Sequence, residues 1–469
     1  MITTSLTQVA NWLSCAQVPE GLAVRGVSTD SRQLQPGNLF VALKGARFDG
    51  HDHLAQALEQ GAVAAVVSTR NVSINLPQLV VPDTLEALQI LGTRWREQVD
   101  PTVIGVTGSA GKTTVKQLLA AIFSQVGQTR ATVGNLNNEI GVPLTLLSLD
   151  ERDQYAVIEM GANHVGEIAR LTAMAKPDLG VVTMAGSAHV GEFGSVDAIV
   201  QGKGELYVGL APDAQALINL CSYGAEYWMA HSTAAWTGFA LKNCPLAERA
   251  RWVGDYDEAT ATLTIQEAGQ ALLAGCPLPL PGAHNAVNVL AAVSVARAHG
   301  LGADTIAAGL RAFAPPSGRM TLIALDAQVM LIDDSYNANP ESMRAALDYL
   351  VGRPGAHIAV LGDMGELGAQ SAELHQALGE YARGLSLDAV FTLGTDMLGM
   401  VAHCVRKPGA IAACACSSPE EVVERILPYL AQFRQANTPL TILFKGSRFM
   451  KMERVMHLLQ SRTRTEGAL

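Results

Sequence analysis

The segment Thr102-Val-Ile-Gly-Val-Thr-Gly-Ser-Ala-Gly-Lys-Thr-Thr114 combines a strand pattern, a glycine-rich turn and a helix start in immediate succession. Its first residues form a short apolar run, and apolar residues then recur at helical spacing from Val115 to Val126. A turn of this kind aims backbone N–H groups and a helix N-terminus at a polyphosphate. The segment therefore predicts a parallel α/β fold that binds a nucleoside triphosphate.

The residues within this turn each suit one task in phosphate binding. Gly108 and Gly111 let the backbone turn towards the phosphates, and Lys112 can lie along the β- and γ-phosphates. The hydroxyl of Thr113 can bind Mg²⁺. The spacing departs from the common G-x-x-x-x-G-K-[ST] form, because Val106 stands where its first glycine would be. The alternative is a strand-to-helix turn that only packs.

The composition indicates a globular chain with substantial cores and excludes fibrous and disordered classes. The chain has 469 residues, of which 49% are hydrophobic and 16% charged, enough for about three domains. A formal net charge of −10 argues against a nucleic-acid partner, whose phosphates need many basic residues. Seven cysteines without C-x-x-C spacing indicate free thiols in a reducing compartment.

The location in the cell is predicted from the lack of a signal-peptide pattern and of a membrane-spanning pattern in the sequence. There is no basic segment followed by an apolar core at the N-terminus, and no uncharged apolar run of about eighteen residues. We expect a cytoplasmic protein without membrane insertion. No heptad pattern indicates an obligate assembly, so we expect a monomer.

The order of strand and helix patterns predicts three α/β domains. Residues 1–85 form a small N-terminal α/β module. In residues 86–314 strands and helices alternate, which predicts a parallel sheet covered on both faces, with a few antiparallel strands between 222 and 281. Residues 315–469 begin with the linker Pro315-Pro-Ser-Gly318 and form a Rossmann-like doubly wound unit.

Charged and polar residues follow the predicted strands, where parallel sheets bind their ligands. Glu159 ends a strand beside the phosphate turn, where a carboxylate can meet Mg²⁺; the alternative is a helix cap or a surface acid. His189 follows the next strand and is either a ligand or a structural histidine. By composition alone, Lys203 is most simply a solvated helix lysine.

Basic and acidic residues of the third domain could complete such a site. Arg319 and Lys445 could meet a developing phosphoryl charge when the domains close, which also excludes water. Asp363 and Glu366 have the opposite sign and could receive a substrate ammonium group.

Several strings together resemble one enzyme family over nearly the whole chain. They are Ser28-Thr-Asp-Ser-Arg32, Gly134-Asn-Leu-Asn-Asn-Glu-Ile-Gly-Val-Pro143, Glu159-Met-Gly-Ala-Asn163, Asp333-Asp-Ser-Tyr-Asn-Ala-Asn-Pro340 and Leu361-Gly-Asp-Met-Gly-Glu-Leu-Gly368. In this order they resemble the Mur ligases, ATP-dependent enzymes that build the peptide of bacterial peptidoglycan. The resemblance implies that D-alanyl-D-alanine is joined to UDP-N-acetylmuramoyl-tripeptide through an acyl phosphate, the last cytoplasmic step of precursor peptide assembly.

The resemblance also implies the roles of individual residues in ATP and metal binding. ATP is expected to contact Gly108, Ser109, Ala110, Gly111, Lys112, Thr113, Thr114, Asn285, Asn288, Arg319, Asp334 and Asn337. One Mg²⁺ is expected at Thr113 and Glu159, and a second at Glu159, His189 and a carbamylated Lys203. The implied catalytic residues are Lys112, Glu159, His189, Lys203 and Arg319.

The resemblance further assigns substrate-binding positions. Ser31 and Arg32 are expected near the uridine diphosphate, since arginine suits a diphosphate by paired hydrogen bonds. The other implied substrate contacts are Asn135, Asn138, Asp363, Glu366, Lys445 and Ser447.

One loop departs from the family pattern. The family usually has His-Leu-Glu-x-Phe-Gly-Ser around the histidine, whereas Val190, Gly191 and Glu192 follow His189 here.

A folylpolyglutamate synthetase is one alternative, against which the N-terminal module argues. A catalytically inactive nucleotide-binding partner is another, against which the retained site residues argue. The third residue of the peptide, diaminopimelate or lysine, stays open.

Overall fold

The computed structural model of the protein describes residues 1–15, 18–404 and 412–466. Its strands form a small antiparallel pair at the N-terminus and three larger sheets that follow one another along the chain. We call the three units built on these sheets the N-terminal, central and C-terminal domains. The expected α/β fold is therefore confirmed.

The N-terminal domain is built on a parallel sheet. Its strands, in order across the sheet, are Val27–Ser28, Leu39–Val41, Ala64–Val67 and Gln78–Val80. The antiparallel pair is Thr3–Ser5 with Ala23–Arg25, and the α-helices are Leu6–Trp12, Leu54–Glu59 and Thr84–Val99. The predicted boundary at residue 85 lies inside the last helix, whose buried residues share a core with both the N-terminal and central domains.

The central domain holds the phosphate turn on its sheet, which is parallel from Thr129–Ala131 to Trp252–Asp257 and antiparallel beyond. In order across the sheet, the strands are Gln270–Pro277, Thr262–Glu267, Trp252–Asp257, Ala235–Leu241, Gln215–Asn219, Leu179–Val182, Thr102–Thr107, Tyr155–Glu159 and Thr129–Ala131. The α-helices are Lys112–Phe123, Gly141–Leu147, Glu167–Ala175, Val190–Phe193, Val196–Val208, Ala225–His231, Ala283–Ala298 and Ala303–Ala312.

Helices cover both faces of the central sheet, as the sequence predicts. Successive strand residues point to opposite faces. Val103 is therefore part of one buried core, with Leu206, and Ile104 is part of the other, with Leu118. The strand carrying the phosphate turn is buried from both sides, and its carboxyl end is the part that reaches the cleft.

The C-terminal domain is a second α/β unit, parallel except for its first strand. Across the sheet, the strands are Thr321–Ala324, Val329–Asp334, Leu440–Lys445, Ala356–Gly362, Ala389–Leu393 and Ala412–Cys416. The α-helices are Pro340–Val351, Ser371–Arg383, Met397–Cys404, Pro419–Gln435 and Glu453–Glu466. The sequence did not predict the two edge strands or the helix Met397–Cys404.

Two further properties bear on the expectations from sequence. All seven cysteines lie in the described part of the chain and are free thiols. Among the helices that the structure describes, none combines the length and the apolar character needed to cross a lipid bilayer.

Candidate active site

The phosphate turn joins the strand Thr102–Thr107 to the helix Lys112–Phe123. Gly108 and Gly111 have φ angles of +143° and +81°, a region that disfavours residues with a Cβ. A Cβ on Gly108 would lie 1.9 Å from Thr183 Oγ1, and one on Gly111 would lie 2.3 Å from Asn288 Oδ1. Both positions therefore require glycine for backbone conformation and for space.

This turn opens into a cleft of about 1010 Å³ between the central and C-terminal domains. Most of the predicted site residues line it. They are Ser109, Ala110, Gly111, Lys112, Thr113, Thr114, Asn135, Asn138, Glu159, His189, Asn285, Asn288, Arg319, Asp334, Asn337, Glu366, Lys445 and Ser447.

Lys112 bends back over the turn. Its Nζ donates a hydrogen bond to the Gly108 carbonyl oxygen at 2.6 Å. Burial lowers the pKa of the Lys112 amine from its usual range. A bound polyphosphate would favour the charged amine, because an anion close to an ammonium group stabilises it.

Glu159 is buried at the end of its strand and is bound from several directions. Its Oε1 accepts hydrogen bonds from Asn137 Nδ2 at 2.9 Å and from the Thr113 hydroxyl at 3.3 Å. Its Oε2 lies 3.0 Å from Lys116 Nζ. Burial alone would raise the pKa of Glu159, but the ammonium groups of Lys116 and Lys112 outweigh it, so the pKa is lowered. The carboxylate form that could bind a cation is favoured.

The C-terminal domain reaches the phosphate turn through Arg319. Its Nη2 donates to Thr113 Oγ1 at 3.0 Å, and its guanidinium group lies 4.1 Å from the centre of the Tyr336 ring. Lys445 is buried nearby, with its Nζ 2.5 Å from Asp334 Oδ2 and 2.9 Å from the Asn337 carbonyl oxygen. Cationic groups of this domain thus face the turn across the cleft.

The loop after the strand Leu179–Val182 also contacts the C-terminal domain. Glu341 accepts hydrogen bonds from the Ser187 backbone N–H at 2.8 Å and from its hydroxyl at 3.0 Å. His189 Nδ1 lies 2.6 Å from Glu366 Oε2, and the Gly191 N–H donates to the Glu366 carbonyl oxygen at 3.2 Å. The two domains are therefore in contact at the cleft.

Lys203 lies in the helix Val196–Val208 and is fully buried, contrary to a solvated surface position. Its Nζ donates to the Ala162 carbonyl oxygen at 2.9 Å and lies 5.0 Å from the centre of the Phe193 ring. Burial lowers the pKa of Lys203 to about 7. A substantial neutral amine fraction is expected near neutral pH.

The comparisons with known proteins agree along the chain. Residues 106–296 match the Mur ligase middle domain, residues 318–448 match the Mur ligase glutamate ligase domain, and residues 23–96 match the Mur ligase family catalytic domain. The UDP-N-acetylmuramoyl-tripeptide--D-alanyl-D-alanine ligase of Escherichia coli K12 is 37% identical, over 98% of this chain and 99% of that protein. The chain belongs to the Mur ligase family.

Solved structures support the same assignment. A crystal structure of MurF from Acinetobacter baumannii superposes with a TM-score of 0.89 at 33% identity, covering 98% of this chain and 99% of that one. The MurF ligase of Thermotoga maritima, solved in complex with ADP, gives a TM-score of 0.81 at 27% identity, covering 94% and 99%. This Mur ligase therefore matches its relatives over all three domains.

Some residues predicted for the site lie outside the lining of this Mur ligase cleft. Ser31 donates to Gln56 Oε1 at 2.8 Å, and the exposed Arg32 pairs with Asp30 in the N-terminal domain. The Asp363 carboxylate accepts the Met397 N–H at 2.9 Å. Gly108 and Lys203 contact lining residues without lining the cleft themselves.

Other contacts of this Mur ligase site were not predicted from the sequence. They involve Lys116, Asn137, Tyr336 and Glu341. For Lys116 a signal existed, because it stands four residues after Lys112 and therefore on the same helix face. Nothing in the sequence pattern distinguished Glu341 from an acid that stabilises the start of its helix.

Proposed function

We propose that this chain is the ATP-dependent ligase that joins D-alanyl-D-alanine to UDP-N-acetylmuramoyl-tripeptide in peptidoglycan precursor assembly. The observation that carries the proposal is the cleft itself. Lys112 and the helix N-terminus face Arg319 and Lys445 across it, so cationic groups surround a space next to the phosphate turn. The relatives' names support these substrates, because the likeness extends over 98% of this chain and 99% of each relative.

The chemistry requires that the carboxyl group be activated before the amine can react. A carboxylate oxygen attacks the γ-phosphorus of ATP, the bond to the β-phosphate oxygen breaks, and ADP leaves. The amine nitrogen then attacks the acyl carbon, the bond to phosphate breaks, and the ammonium proton is lost as the amide forms. The first step brings two anions together, so preorganised cations and backbone donors are needed.

The chain's own residues suit these steps. We assign Lys112 and the N–H groups of residues 108–114 to the ATP phosphates. Arg319 already contacts the Thr113 hydroxyl, so it can reach the phosphoryl group that is transferred. Asn285 and Asn288, joined by a hydrogen bond of 3.1 Å, are assigned to the adenine side of the cleft.

The oxygen donors at the turn also fit Mg²⁺. Thr113 Oγ1 and Glu159 Oε1 lie 3.3 Å apart, and a hydroxyl with a carboxylate is a donor set that this hard cation accepts. We assign these two residues to one ion, and Glu159, His189 and Lys203 to a second. Bound Mg²⁺ would neutralise charge on the phosphates during transfer.

We further propose that Lys203 is carbamylated in the active enzyme. No ion pair of the described residues includes Lys203, and its amine is buried against a backbone carbonyl group. The reaction joins the neutral amine nitrogen to CO₂ and releases one proton, which leaves an anionic carbamate. A ¹³C resonance of a carbamate after incubation with labelled bicarbonate, absent in Lys203→Met, is the expected result; equal spectra would contradict it.

We assign most of the remaining predicted residues to the substrates. Ser31 and Arg32 would bind the uridine diphosphate from the N-terminal domain. Asn135, Asn138, Glu366, Lys445 and Ser447, which line the cleft, would bind the peptide and the dipeptide; Asp363, whose carboxylate accepts the Met397 N–H outside that lining, is not assigned a substrate contact. We also propose that the enzyme acts as a monomer in the cytoplasm, which gel filtration with light scattering and cell fractionation would test.

The central experiment measures phosphate release by the purified protein. We expect release only when ATP, UDP-N-acetylmuramoyl-tripeptide and D-alanyl-D-alanine are all present, with a pentapeptide product by mass spectrometry. Release that is unchanged without the dipeptide would contradict the proposal, and no release at all would favour an inactive nucleotide-binding partner. Tripeptides with diaminopimelate or lysine, compared by kcat/KM, would decide the third residue.

A further inference from the structure

Lys116 is a buried charged residue in the helix that follows the phosphate turn. Its side chain is only 2% exposed, and the side chain of its partner Glu159 is 3% exposed. A charge is rarely buried without a partner, because the loss of hydration is costly. An apolar side chain would be the ordinary choice at such a buried position. The buried amine of Lys116 therefore indicates a functional role.

The surroundings of Lys116 connect three parts of the site. Its Nζ lies 3.0 Å from Glu159 Oε2 and 3.4 Å from the carbonyl oxygen of Gly134. The same segment of chain supplies Asn137, whose amide donates to the other carboxylate oxygen at 2.9 Å. Lys116 thus links the helix, the end of the strand Tyr155–Glu159 and the 134–138 loop.

Two lysines share the helix face that borders a single buried acid. Lys112 and Lys116 are four residues apart, so their side chains lie on the same side of the helix. Lys116 contacts Glu159 Oε2, whereas Lys112 Nζ is bound to Gly108 at the turn. The two amines therefore have different partners: one is held by the carboxylate and the other remains at the phosphate turn.

We propose that Lys116 is a positioning residue that holds Glu159 by Oε2 and so keeps Oε1 directed at the cation bound with the nucleotide. Without Lys116, Oε2 would be buried with no ion-pair partner, and the nearest compensation is rotation of Glu159 towards Lys112. Either change would remove a ligand from the cation site or an amine from the phosphates. The inference rests on the proposed function, since it requires a nucleotide-bound cation near Glu159.

The test compares nucleotide binding with and without the cation. ADP affinity is measured by calorimetry in Mg²⁺ and in EDTA for the wild type, Lys116→Met, Lys116→Gln and Lys116→Arg. Lys242→Met is the control, because Lys242 forms an exposed ion pair with Asp255. Melting temperature and circular dichroism establish that each variant is folded.

The expected result is specific to the cation. Lys116→Met and Lys116→Gln should lose about 10–100-fold in the Mg²⁺-dependent gain of ADP affinity, as for outer partners of metal ligands, with unchanged affinity in EDTA. Lys116→Arg should retain most of that gain. An unchanged gain, an equal loss in both buffers, or failure of both neutral variants to fold would overturn the inference. Wild-type protein that binds no ADP would instead contradict the proposed function itself.

Discussion

His189 Nδ1 of the central domain lies 2.6 Å from Glu366 Oε2 of the C-terminal domain. The pair joins a residue predicted to bind a metal ion with one predicted to bind substrate. Glu366 also accepts a backbone hydrogen bond from Gly191 through its carbonyl oxygen at 3.2 Å. The contact between these domains is therefore built on residues that border the cleft.

Glu366→Gln should weaken this contact modestly. The side chain of Glu366 is 55% exposed, and exposed ion pairs contribute about 0.2–1 kcal/mol, so loss of the ion pair accounts for at most about a fivefold fall in kcat/KM, and loss of the proposed substrate contact would add to it. The measurement is phosphate release at low and high salt, with the exposed Glu373→Gln as control. A loss of more than about a hundredfold would show that Glu366 contacts the reacting groups.

Gly191→Ala should obstruct the same contact by steric overlap. A Cβ on Gly191 would lie 2.4 Å from the backbone nitrogen of Gly368. Overpacking costs about 1–3 kcal/mol, so kcat/KM should fall about five- to a hundredfold. Gly302→Ala is the matched control, because nothing lies within 4 Å of a Cβ there. Equal activity of both variants would contradict the prediction.

Lys112→Ala should abolish turnover without unfolding the protein. We expect phosphate release to fall by at least about a hundredfold, because a cation next to the transferred group is lost. The melting temperature should stay close to that of the wild type, since the amine is bound to the Gly108 carbonyl oxygen alone among the described hydrogen bonds. Lys242→Ala serves as the control, and a Lys112 variant with most of its activity would refute the assigned role.

Tyr207→Phe should destabilise the central domain. The hydroxyl of the fully buried Tyr207 donates to the Leu217 carbonyl oxygen at 2.6 Å and accepts the Val182 N–H at 2.8 Å. Losing it leaves buried polar groups without that partner, which costs about 1–3 kcal/mol in the free energy of unfolding. Urea denaturation measures this, with the exposed Tyr223→Phe as control. Equal effects of the two substitutions would contradict the argument.

Glu267→Gln should reduce stability in a pH-dependent way. Partial burial alone would raise the pKa of Glu267, but hydrogen bonds from Arg251 and Arg297 outweigh it and the pKa is lowered. A lowered carboxyl pKa stabilises the fold above the unfolded value of about 4.3 and loses that contribution as the pH falls through the folded pKa. We expect a loss of about 1–2 kcal/mol at neutral pH that shrinks below about pH 4.

The control for this prediction is Glu258→Gln, at an exposed position of the turn after the strand Trp252–Asp257. Urea denaturation curves of both variants and the wild type, recorded at intervals of about one pH unit across pH 3–7, give the comparison. A Glu267→Gln effect that stays constant over this range would show that packing, rather than charge, causes the loss.

Most strands and helices could be predicted because their signals are local. The apolar run, glycines and helical periodicity around residues 102–126 identify one strand, turn and helix directly. The strand Ala412–Cys416 and the helix Met397–Cys404 were not predicted, because short runs of small or uniformly apolar residues lack a distinct hydrophobic period. The two-residue strand Val27–Ser28 is too short to carry any period.

The sequence by itself determined the phosphate turn, the three α/β units and the polar residues at strand ends, because these depend on neighbouring residues and on the rule that parallel strands end at one edge. Only the tertiary structure decided which of them meet. Arg319 reaches Thr113 across 206 residues, and Lys116 rather than Lys112 contacts Glu159 Oε2. Such pairs depend on how helices and domains pack, and no local periodicity carries that information.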